Sequence, residues 1–380
     1  MNRAALLGGT ALVAALAYSP VMAGTVGTGD NLEVSLFGEV RFQINHVDQD
    51  ETDGRGRGFR FHTDEAELGI EARNTADNGL LYGVEIVLNV NTDDVTNGDK
   101  VFAFIDNDNF GRIQLGDNDN AADSLFVDGA DVIAARGGYD GEVSDVFDFG
   151  GTWLGVGTDV GGGKATKVVY FTPIIGGFRA GVSYTPDSGA QGASFAHRDD
   201  DGDFENTFDI AANWVGEFDN VEIVVAAFGE FGEAENNTSS NPNTVGGSAS
   251  PGDAETYGVG ATVSVGGFSV GAGYVTYGDA GVSASEQAAG ADAGEWWDVG
   301  VAYRQGPWGV SVGYYEATIS NVSGVADTKN TVLTFDADYE VAPGWTLAGS
   351  LSFNDAENRD RTQGDDNSGH SFILYNIWGF

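Results

Sequence analysis

The sequence predicts an all-β protein, an antiparallel transmembrane barrel of sixteen strands. Three observations lead to this fold class: apolar and polar residues alternate with period two, short and long connections alternate along the chain, and glycine is abundant. The 380 residues include 58 Gly and no Cys. Because each interior Gly costs a helix about 1 kcal/mol, this composition argues against a helical protein. Hydrophobic residues make up 41%, so the chain is not an apolar-poor disordered acidic protein.

The first 23 residues have the features of a cleaved export signal. Arg3 gives a positive start, residues 4–17 are apolar, and Ala23 ends a stretch suited to cleavage. An anchor helix is the alternative, but a helix needs about 20 apolar residues to cross a bilayer. We therefore expect export through the inner membrane, cleavage after Ala23, and a mature barrel domain at 24–380.

The period-two pattern begins at the first expected strand. Even positions from Leu32 to Ile44 carry large apolar side chains, with Gly38 as the exception, whereas most odd positions are polar. Such alternation gives a strand one apolar and one polar face. The pattern recurs at 80–91, 178–184, 208–218, 257–265, 268–276, 308–314, 333–341 and 345–353.

The connections between these strands alternate in length. Seven are short turns, and eight are long and rich in Asp, Asn, Ser and Gly, so that fifteen connections join sixteen strands. The longest connection is the third long one, at 118–164. An even number of strands with alternating short and long connections is typical of a transmembrane barrel.

The polar face of the strands distinguishes a membrane barrel from a water-soluble sandwich. Both folds would carry an apolar stripe, but the opposite face here holds Gly, Ser, Glu, Asp and Asn, which indicates a wet lumen. Aromatic side chains lie on the apolar face close to strand ends, as expected at two lipid interfaces. They are Tyr257, Tyr274, Trp297, Tyr303, Trp308, Tyr314, Tyr339, Trp345, Phe353 and Trp378.

These features resemble the general diffusion porins of Gram-negative outer membranes, alphaproteobacterial type. The resemblance rests on the signal peptide, the first strand at 31–45, the hairpin at 110–116 before the long third loop, and the final strand at 371–380. It implies that three barrels form a homotrimer in outer-membrane lipid and that the third loop folds into the lumen. It also implies an assembly signal read by the outer-membrane assembly machinery, with Asn376 a polar departure within it. The signal residues are Phe372, Leu374, Trp378 and Phe380.

The charge distribution suggests the kind of pore. Between 118 and 164 nine acids oppose Arg136 and Lys164, and Asp117 stands where related porins often carry arginine. We expect a carboxylate-dominated constriction that prefers cations, although the loop acidity would also suit solubility or a saline habitat. Alternation places Arg73, Arg112, Arg179 and Arg304 on the lumen face at the short-turn ends of their strands. The candidate constriction residues are Glu39, Arg41, Arg60, Glu65, Glu67, Asp117, Asp119, Asp123, Asp128, Asp131 and Arg136.

Other function classes fit poorly. A net charge of -41 excludes a nucleic-acid partner, which would need a cationic face. We expect no enzyme, since no nucleophile or phosphate motif occurs and the histidines at 46, 62, 197 and 370 fall in or beside loops without a second ligand. No cofactor is expected; loose Ca²⁺ at 117–120 or 198–203 is less favoured than solvated turns. The remaining alternative is a secreted or surface-attached all-β binding or structural protein.

Overall fold

The computed structural model describes residues 32–50, 58–90, 97–136, 138–140, 142–151, 153–158, 163–189, 191–192, 203–235 and 251–380, with backbone alone at 97 and 136. Sixteen strands account for most of these residues. They are β1 (Leu32–Gln49), β2 (Phe59–Thr75), β3 (Leu81–Asn89), β4 (Asn97–Asn107), β5 (Gly111–Asp117), β6 (Thr166–Phe171), β7 (Phe178–Asp187), β8 (Phe204–Phe218), β9 (Val221–Ala234), β10 (Ala254–Val265), β11 (Phe268–Thr276), β12 (Glu295–Gln305), β13 (Trp308–Ile319), β14 (Thr328–Ala342), β15 (Trp345–Glu357) and β16 (Asn367–Gly379).

The strands form one closed antiparallel barrel in which each pairs with its neighbours along the chain. β1 and β16 close the ring with a register that runs from Glu39 opposite Gly379 to Gln49 opposite Gly369. Closure gives every strand a hydrogen-bonded neighbour on both sides, which is the requirement for a sheet that crosses hydrocarbon. The predicted sixteen-stranded barrel is confirmed, and a two-sheet sandwich is excluded.

Side chains alternate between the two faces of the barrel wall, with the polarity reversed relative to a water-soluble protein. In β13, Trp308, Val310 and Val312 are 59%, 49% and 42% exposed, whereas Ser311 between them is buried. Aromatic pairs lie near the strand ends of the outer face: Trp308 with Tyr339 at the short-turn end and Trp297 with Tyr314 at the other. An apolar exterior with aromatic ends suits a surrounding bilayer.

The connections follow the expected short and long alternation, with strands that run further toward the long loops than expected. β1 continues to Gln49 and β15 to Glu357. His46 therefore lies in β1 and not in a loop, which corrects its placement from the sequence. His62 and His370 lie in strands beside loops, and His197 lies outside the described residues. Two short helices, α1 (Ala121–Leu125) and α2 (Ala284–Ala288), belong to long connections. In the described ranges no helix is long and apolar enough to cross a membrane.

Candidate functional site

The candidate site is built around the connection between β5 and β6, residues 118–165, which we call the L3 segment. Its first turn, α1, donates backbone N–H groups to inward-facing side chains of the wall. Ala121 N donates to Ser183 Oγ in β7 at 3.0 Å, and Ala122 N donates to Asp209 Oδ1 in β8 at 2.9 Å. The first N–H groups of a helix have no partner within it, so these side chains satisfy them.

The middle of the L3 segment binds strands further around the ring. Asp298 in β12 accepts hydrogen bonds from Gly129 N at 3.1 Å and Ala130 N at 3.0 Å. Beyond it, Ala134 N donates to Ser311 Oγ in β13 at 2.9 Å, and Ala135 N donates to Asp338 Oδ2 in β14 at 3.2 Å. Irregular backbone that is shielded from water needs such partners, because an unpaired N–H there costs several kcal/mol.

Glycines in three adjacent strands make room for this backbone. An added Cβ at Gly260 would lie 1.7 Å from Val127 O, one at Gly271 would lie 2.4 Å from Asp128 O, and one at Gly300 would lie 2.2 Å from Gly129 O. Each distance is shorter than a van der Waals contact, so a side chain at any of the three positions would displace the segment. Part of the high glycine content therefore comes from the close approach of the L3 segment to the wall.

The L3 segment also carries the apolar core of the molecule. Phe126 packs edge-on against the inward Trp296, with ring centroids 6.3 Å apart. Trp153 stacks on Phe149 at 4.1 Å and contacts the inward Tyr315 at 5.2 Å. Trp296 and Tyr315 are fully buried. Burial of these aromatic rings stabilises the contact between the segment and the wall beyond what the hydrogen bonds contribute.

A guanidinium shared by four carboxylates lies where the L3 segment meets β1 and β2. Arg41 contacts Glu142 of the segment at 2.6 Å, and it also contacts Glu39 at 2.9 Å, Asp64 at 3.1 Å and Glu65 at 3.7 Å. One cation therefore faces four acids, a formal excess of three negative charges. Arg60 Nη2 donates to the backbone carbonyl of Asp145, a second contact between this wall and the segment, at 3.0 Å.

Lysines compensate a carboxylate at the other end of the segment. Asp119 forms ion pairs with Lys100 of β4 and with Lys164. Lys167 of β6 donates to the backbone carbonyls of Asn118 at 2.5 Å and Gly163 at 2.7 Å. Burial would raise the pKa of Asp119, but attraction to the two lysines outweighs it and lowers that pKa. Asp119 therefore holds the ends of the segment together as a charged group.

Three other acids of the segment favour their neutral forms. Burial raises the pKa of Glu142 to about 8, against the opposing attraction of Arg41, which is shared with three other carboxylates. Burial also raises the pKa of Asp131 to about 7, and burial together with the nearby Asp298 and Asp131 raises that of Asp128 well above its ordinary value. Asp128 and Asp131 hydrogen-bond to each other's backbone N–H groups at 3.4 and 2.9 Å, so they shape the turn there.

The structure brings some predicted residues together and separates others. Four of them lie where the L3 segment contacts β1 and β2: Glu39, Arg41, Arg60 and Glu65. Glu67 also faces inward and has no ion pair among the described residues. Asp123 lines a cavity with Asp119. The side chain of Arg136 lies outside the described residues, so its expected role stays a prediction.

The placement of Asp117 in the pore is wrong. Asp117 shares the outward face of β5 with Leu115, which is 46% exposed, and it pairs in register with outward Val101 of β4. The Asp117 carboxylate accepts hydrogen bonds from the Thr166 hydroxyl and, at 3.3 Å, from Gly192 N on the outside of the wall. The alternation within β5 already indicates this side, because positions 113, 115 and 117 share one face.

Three cations near the segment were missed from the sequence: Lys100, Lys167 and Arg359. The alternation in β4 indicates that Lys100 faces inward, because Phe102 and Phe104 of the same strand do so. Arg359 lies in the connection between β15 and β16 and binds Asp148 of the L3 segment at 3.0 Å. No periodic pattern covers that connection, so the sequence carries no signal for Arg359.

The structure describes only one of the two acidic runs considered for loose Ca²⁺. The 198–203 run lies outside the described residues except for Asp203, and at 117–120 Asp119 is held by two lysines. His62 does have neighbours that could ligate a metal, contrary to expectation: donor atoms of His62, Asp64 and Asp145 lie within 4.8 Å of one another. Two cations lie against this group: Arg60 Nη2 is 3.3 Å from His62 Nε2, and Arg41 is 3.1 Å from Asp64. Their positive charge disfavours a metal ion there.

A closed barrel with an apolar exterior, a polar interior and an anchored third connection defines a transmembrane channel-type β-barrel. A family model described as Gram-negative porin matches residues 6–359. The chain therefore belongs to the Gram-negative porin family, and its setting is the outer membrane.

The chain is also similar to parts of two relatives, and its fold is similar to that of solved outer-membrane barrels. An uncharacterized protein of Rickettsia conorii is 28% identical over 199 residues, 44% of each chain, and one of Rickettsia bellii is 30% identical over 142 residues, 31% of each. The matches thus span less than half the length of these relatives. The fold matches outer-membrane expressed OmpT of Vibrio cholerae (16% identity, 94% of this chain and 100% of that one, TM-score 0.61). It also matches an anion-selective porin from Comamonas acidovorans (15%, 92% and 100%, TM-score 0.59).

Proposed function

We propose that the protein is a water-filled diffusion pore for small hydrophilic solutes and ions, narrowed by the L3 segment and selective for cations. The anchors of the segment support a position inside the lumen. They lie on β7 and β8, on β12 to β14 and on β1, that is, on widely separated parts of the ring, and all are side chains of the inward face. A segment tied to these points crosses the interior.

The Arg41 cluster is the observation that carries the cation preference. It places one guanidinium among four carboxylates, with Glu67 close by on the same strand as Glu65. Two unit charges about 10 Å apart in water interact by about 0.4 kcal/mol. With Glu142 neutral, the two or three excess charges of Glu39, Asp64, Glu65 and Glu67 over Arg41 together supply about 1 kcal/mol. That energy corresponds to a cation-to-anion ratio of at least about five. Carboxylates in a confined ring act on permeating ions even where acidity also serves a saline habitat.

The fold, the family and the absence of catalytic motifs from the sequence support passive diffusion and not an enzyme activity. We further propose that the protein is exported with its first 23 residues as a cleaved signal, is folded by the outer-membrane assembly machinery, and forms a homotrimer in outer-membrane lipid. One Vibrio cholerae neighbour of 14% identity was solved in a trimer form, which supports the last point. Chemical cross-linking of the purified protein in detergent tests it.

Planar-bilayer conductance in a salt gradient tests the pore and its selectivity together. The wild-type reversal potential should indicate cations, and the triple variant Glu39→Gln, Glu65→Gln, Glu67→Gln should shift it toward zero. Asp117→Asn removes one charge from the outer face and serves as the matched control, for which no shift is expected. The preference should weaken in molar salt, where the Debye length is about 3 Å. An anion-selective wild type, or an unchanged triple variant, would overturn the electrostatic proposal.

A further inference from the structure

A cavity of about 530 Å³ lies between the first part of the L3 segment and the short turns of the β4–β5 and β6–β7 hairpins. Its wall comes from β2 to β7, and no residue of the Arg41 cluster lines it. Asp119 and Asp123 of the segment border one side, and Arg112 and Arg179 line the wall. Its size suits a small solute.

Two aromatic rings hold the arginines in this cavity. The Arg112 guanidinium lies over the Phe104 ring at 4.3 Å, and the Arg179 guanidinium lies over the Phe171 ring at 4.7 Å. Arg112 is also the register partner of Phe171, so the side chains of Arg112 and Phe171 are neighbours on the inward face of the wall. A stacked guanidinium keeps its donors in the plane free to bind an anion.

Arg179 differs from the inward Arg73 and Arg304 in having no acid within ion-pair distance among the described residues. Arg73 pairs with Glu33 at 2.9 Å and Arg304 pairs with Asp338 at 2.9 Å, both at the same end of the barrel. Across the described part of the chain Arg179 forms no ion pair, and the closest acid to Arg112 is Asp106 at 3.7 Å. The buried Nε atoms of both side chains have no hydrogen-bond partner there either. Buried donors of this kind are normally satisfied.

We propose that Arg112 and Arg179 form a subsite for the carboxylate of small zwitterionic solutes passing through the pore. A guanidinium fork matches a carboxylate in geometry and charge. The remaining charged groups decide the class of solute. Six acids and three cations border the cavity, so a dianion such as phosphate meets a net negative surround, whereas a zwitterion carries its carboxylate without net charge. The acids are Glu71, Glu85, Asp106, Asp108, Asp119 and Asp123.

This inference rests on the proposed pore function, and liposome flux of two solutes of similar size tests it. L-alanine has a carboxylate and an ammonium group, whereas lactamide is uncharged. Wild-type alanine flux should saturate with concentration while lactamide flux stays linear. Arg179→Gln and Arg112→Gln should each weaken the apparent alanine affinity by about tenfold. Unchanged lactamide flux per protein shows that the variants are folded and open.

Arg304→Gln is the matched control, because it removes the same charge from the same end of the lumen outside the cavity. It should leave the alanine saturation unchanged. The inference fails if alanine flux is linear in wild type, if Arg304→Gln weakens alanine as much as Arg179→Gln does, or if inorganic phosphate competes better than alanine. A wild type that passes neither solute overturns the pore function itself.

Discussion

At the residue scale, Arg41 explains why a carboxylate-rich site can be stable in a barrel interior. Its guanidinium is shared among acids of β1, β2 and the L3 segment, so no single carboxylate is fully compensated. Removing one partner of such a buried network costs more than the pair contributes, because the other charge stays buried. Burial raises the pKa of Glu142, the acid closest to Arg41, and the attraction of a shared guanidinium does not offset it.

Selectivity should depend on pH through Glu142. Because its pKa is raised to about 8, the carboxyl is largely neutral below that value and ionises as pH rises through it. The cation-to-anion permeability ratio should therefore increase between about pH 6 and pH 9, and Glu142→Gln should flatten this increase. The folded state holds this proton more tightly than the unfolded chain does. Its stabilising effect is thus complete below the ordinary glutamate pKa and declines as pH rises to about 8. Reversal potentials across a pH series check the first effect; a Glu142→Gln pore with the wild-type profile would contradict it.

Gly38 is the one even position of the first strand without a large side chain, and the C-terminal residue accounts for it. A Cβ at Gly38 would lie 2.6 Å from Phe380 Cζ and 2.4 Å from the Glu67 carbonyl oxygen. Gly38→Ala should therefore lower the unfolding temperature in detergent through a cost of about 1–3 kcal/mol. Gly349→Ala is the control, because its Cβ has no neighbour closer than 3.8 Å. Equal unfolding temperatures for the two variants would contradict this account.

At the element scale, the L3 segment depends on side-chain carboxylates in place of a regular hydrogen-bond ladder. Asp298 alone accepts from Gly129 N, Ala130 N and, at 2.6 Å, Gly273 N. Each N–H left unsatisfied away from water costs about 1–3 kcal/mol. The segment is thus fixed at a few points, and each point is sensitive to substitution.

Asp298→Ala should loosen the middle of the L3 segment while the barrel stays folded. We expect larger single-channel current fluctuations and faster protease cleavage between 126 and 140. Asp298→Asn keeps one carbonyl acceptor and should give an intermediate result. A quiet, protease-resistant Asp298→Ala pore would show that the aromatic packing alone holds the segment.

The last strand is the element on which closure depends. Phe380 and Gly38 exchange two backbone hydrogen bonds of 3.1 and 3.0 Å, and Trp378 is the register partner of Val40. Phe372, Trp378 and Phe380 are exposed on the outer face, with Leu374 on the same side of β16. Their role as an assembly signal remains a prediction.

Deleting residues 378–380 should lower the folded, membrane-inserted fraction. The truncation removes the partners of residues 38–40 of β1 and lengthens an unpaired edge in hydrocarbon, where each lost hydrogen bond costs several kcal/mol. The heat-modified shift of the barrel on a gel measures the folded fraction. Normal insertion of the truncated chain would refute the claim. Phe380→Leu keeps the backbone hydrogen bonds and removes only the aromatic ring, so it distinguishes an effect on barrel closure from an effect on recognition of the ring.

At the scale of the whole molecule, the reversed polarity of the wall makes lipid part of the structure. Large apolar side chains face outward from strands all around the ring, and polar ones face inward. In water, barrels with such an apolar exterior would aggregate, whereas in a bilayer the exterior contacts lipid chains that are apolar too.

Cysteine labelling tests this orientation in intact membranes. Leu36→Cys and Trp214→Cys, on the outer face of β1 and β8, should resist a membrane-impermeant thiol reagent. Ser285→Cys, on an exposed helix of a long connection, should react and serves as the control. Ready labelling at 36 and 214 would place that face in water and contradict a membrane barrel. The native chain has no cysteine, so each label reports one site.

The sequence by itself determined the strand number, the face of most side chains and the class of protein, because alternation and connection length are local properties of each strand. It placed Arg41 and Glu39 inside for that reason. Only the tertiary structure decided which charges are compensated. Arg41 and Glu142 lie 101 positions apart, and Arg359 reaches Asp148 across 211. Such pairs depend on where an irregular segment binds the wall, and since that segment has no period, its contacts follow from packing around the ring and not from any pattern along the chain.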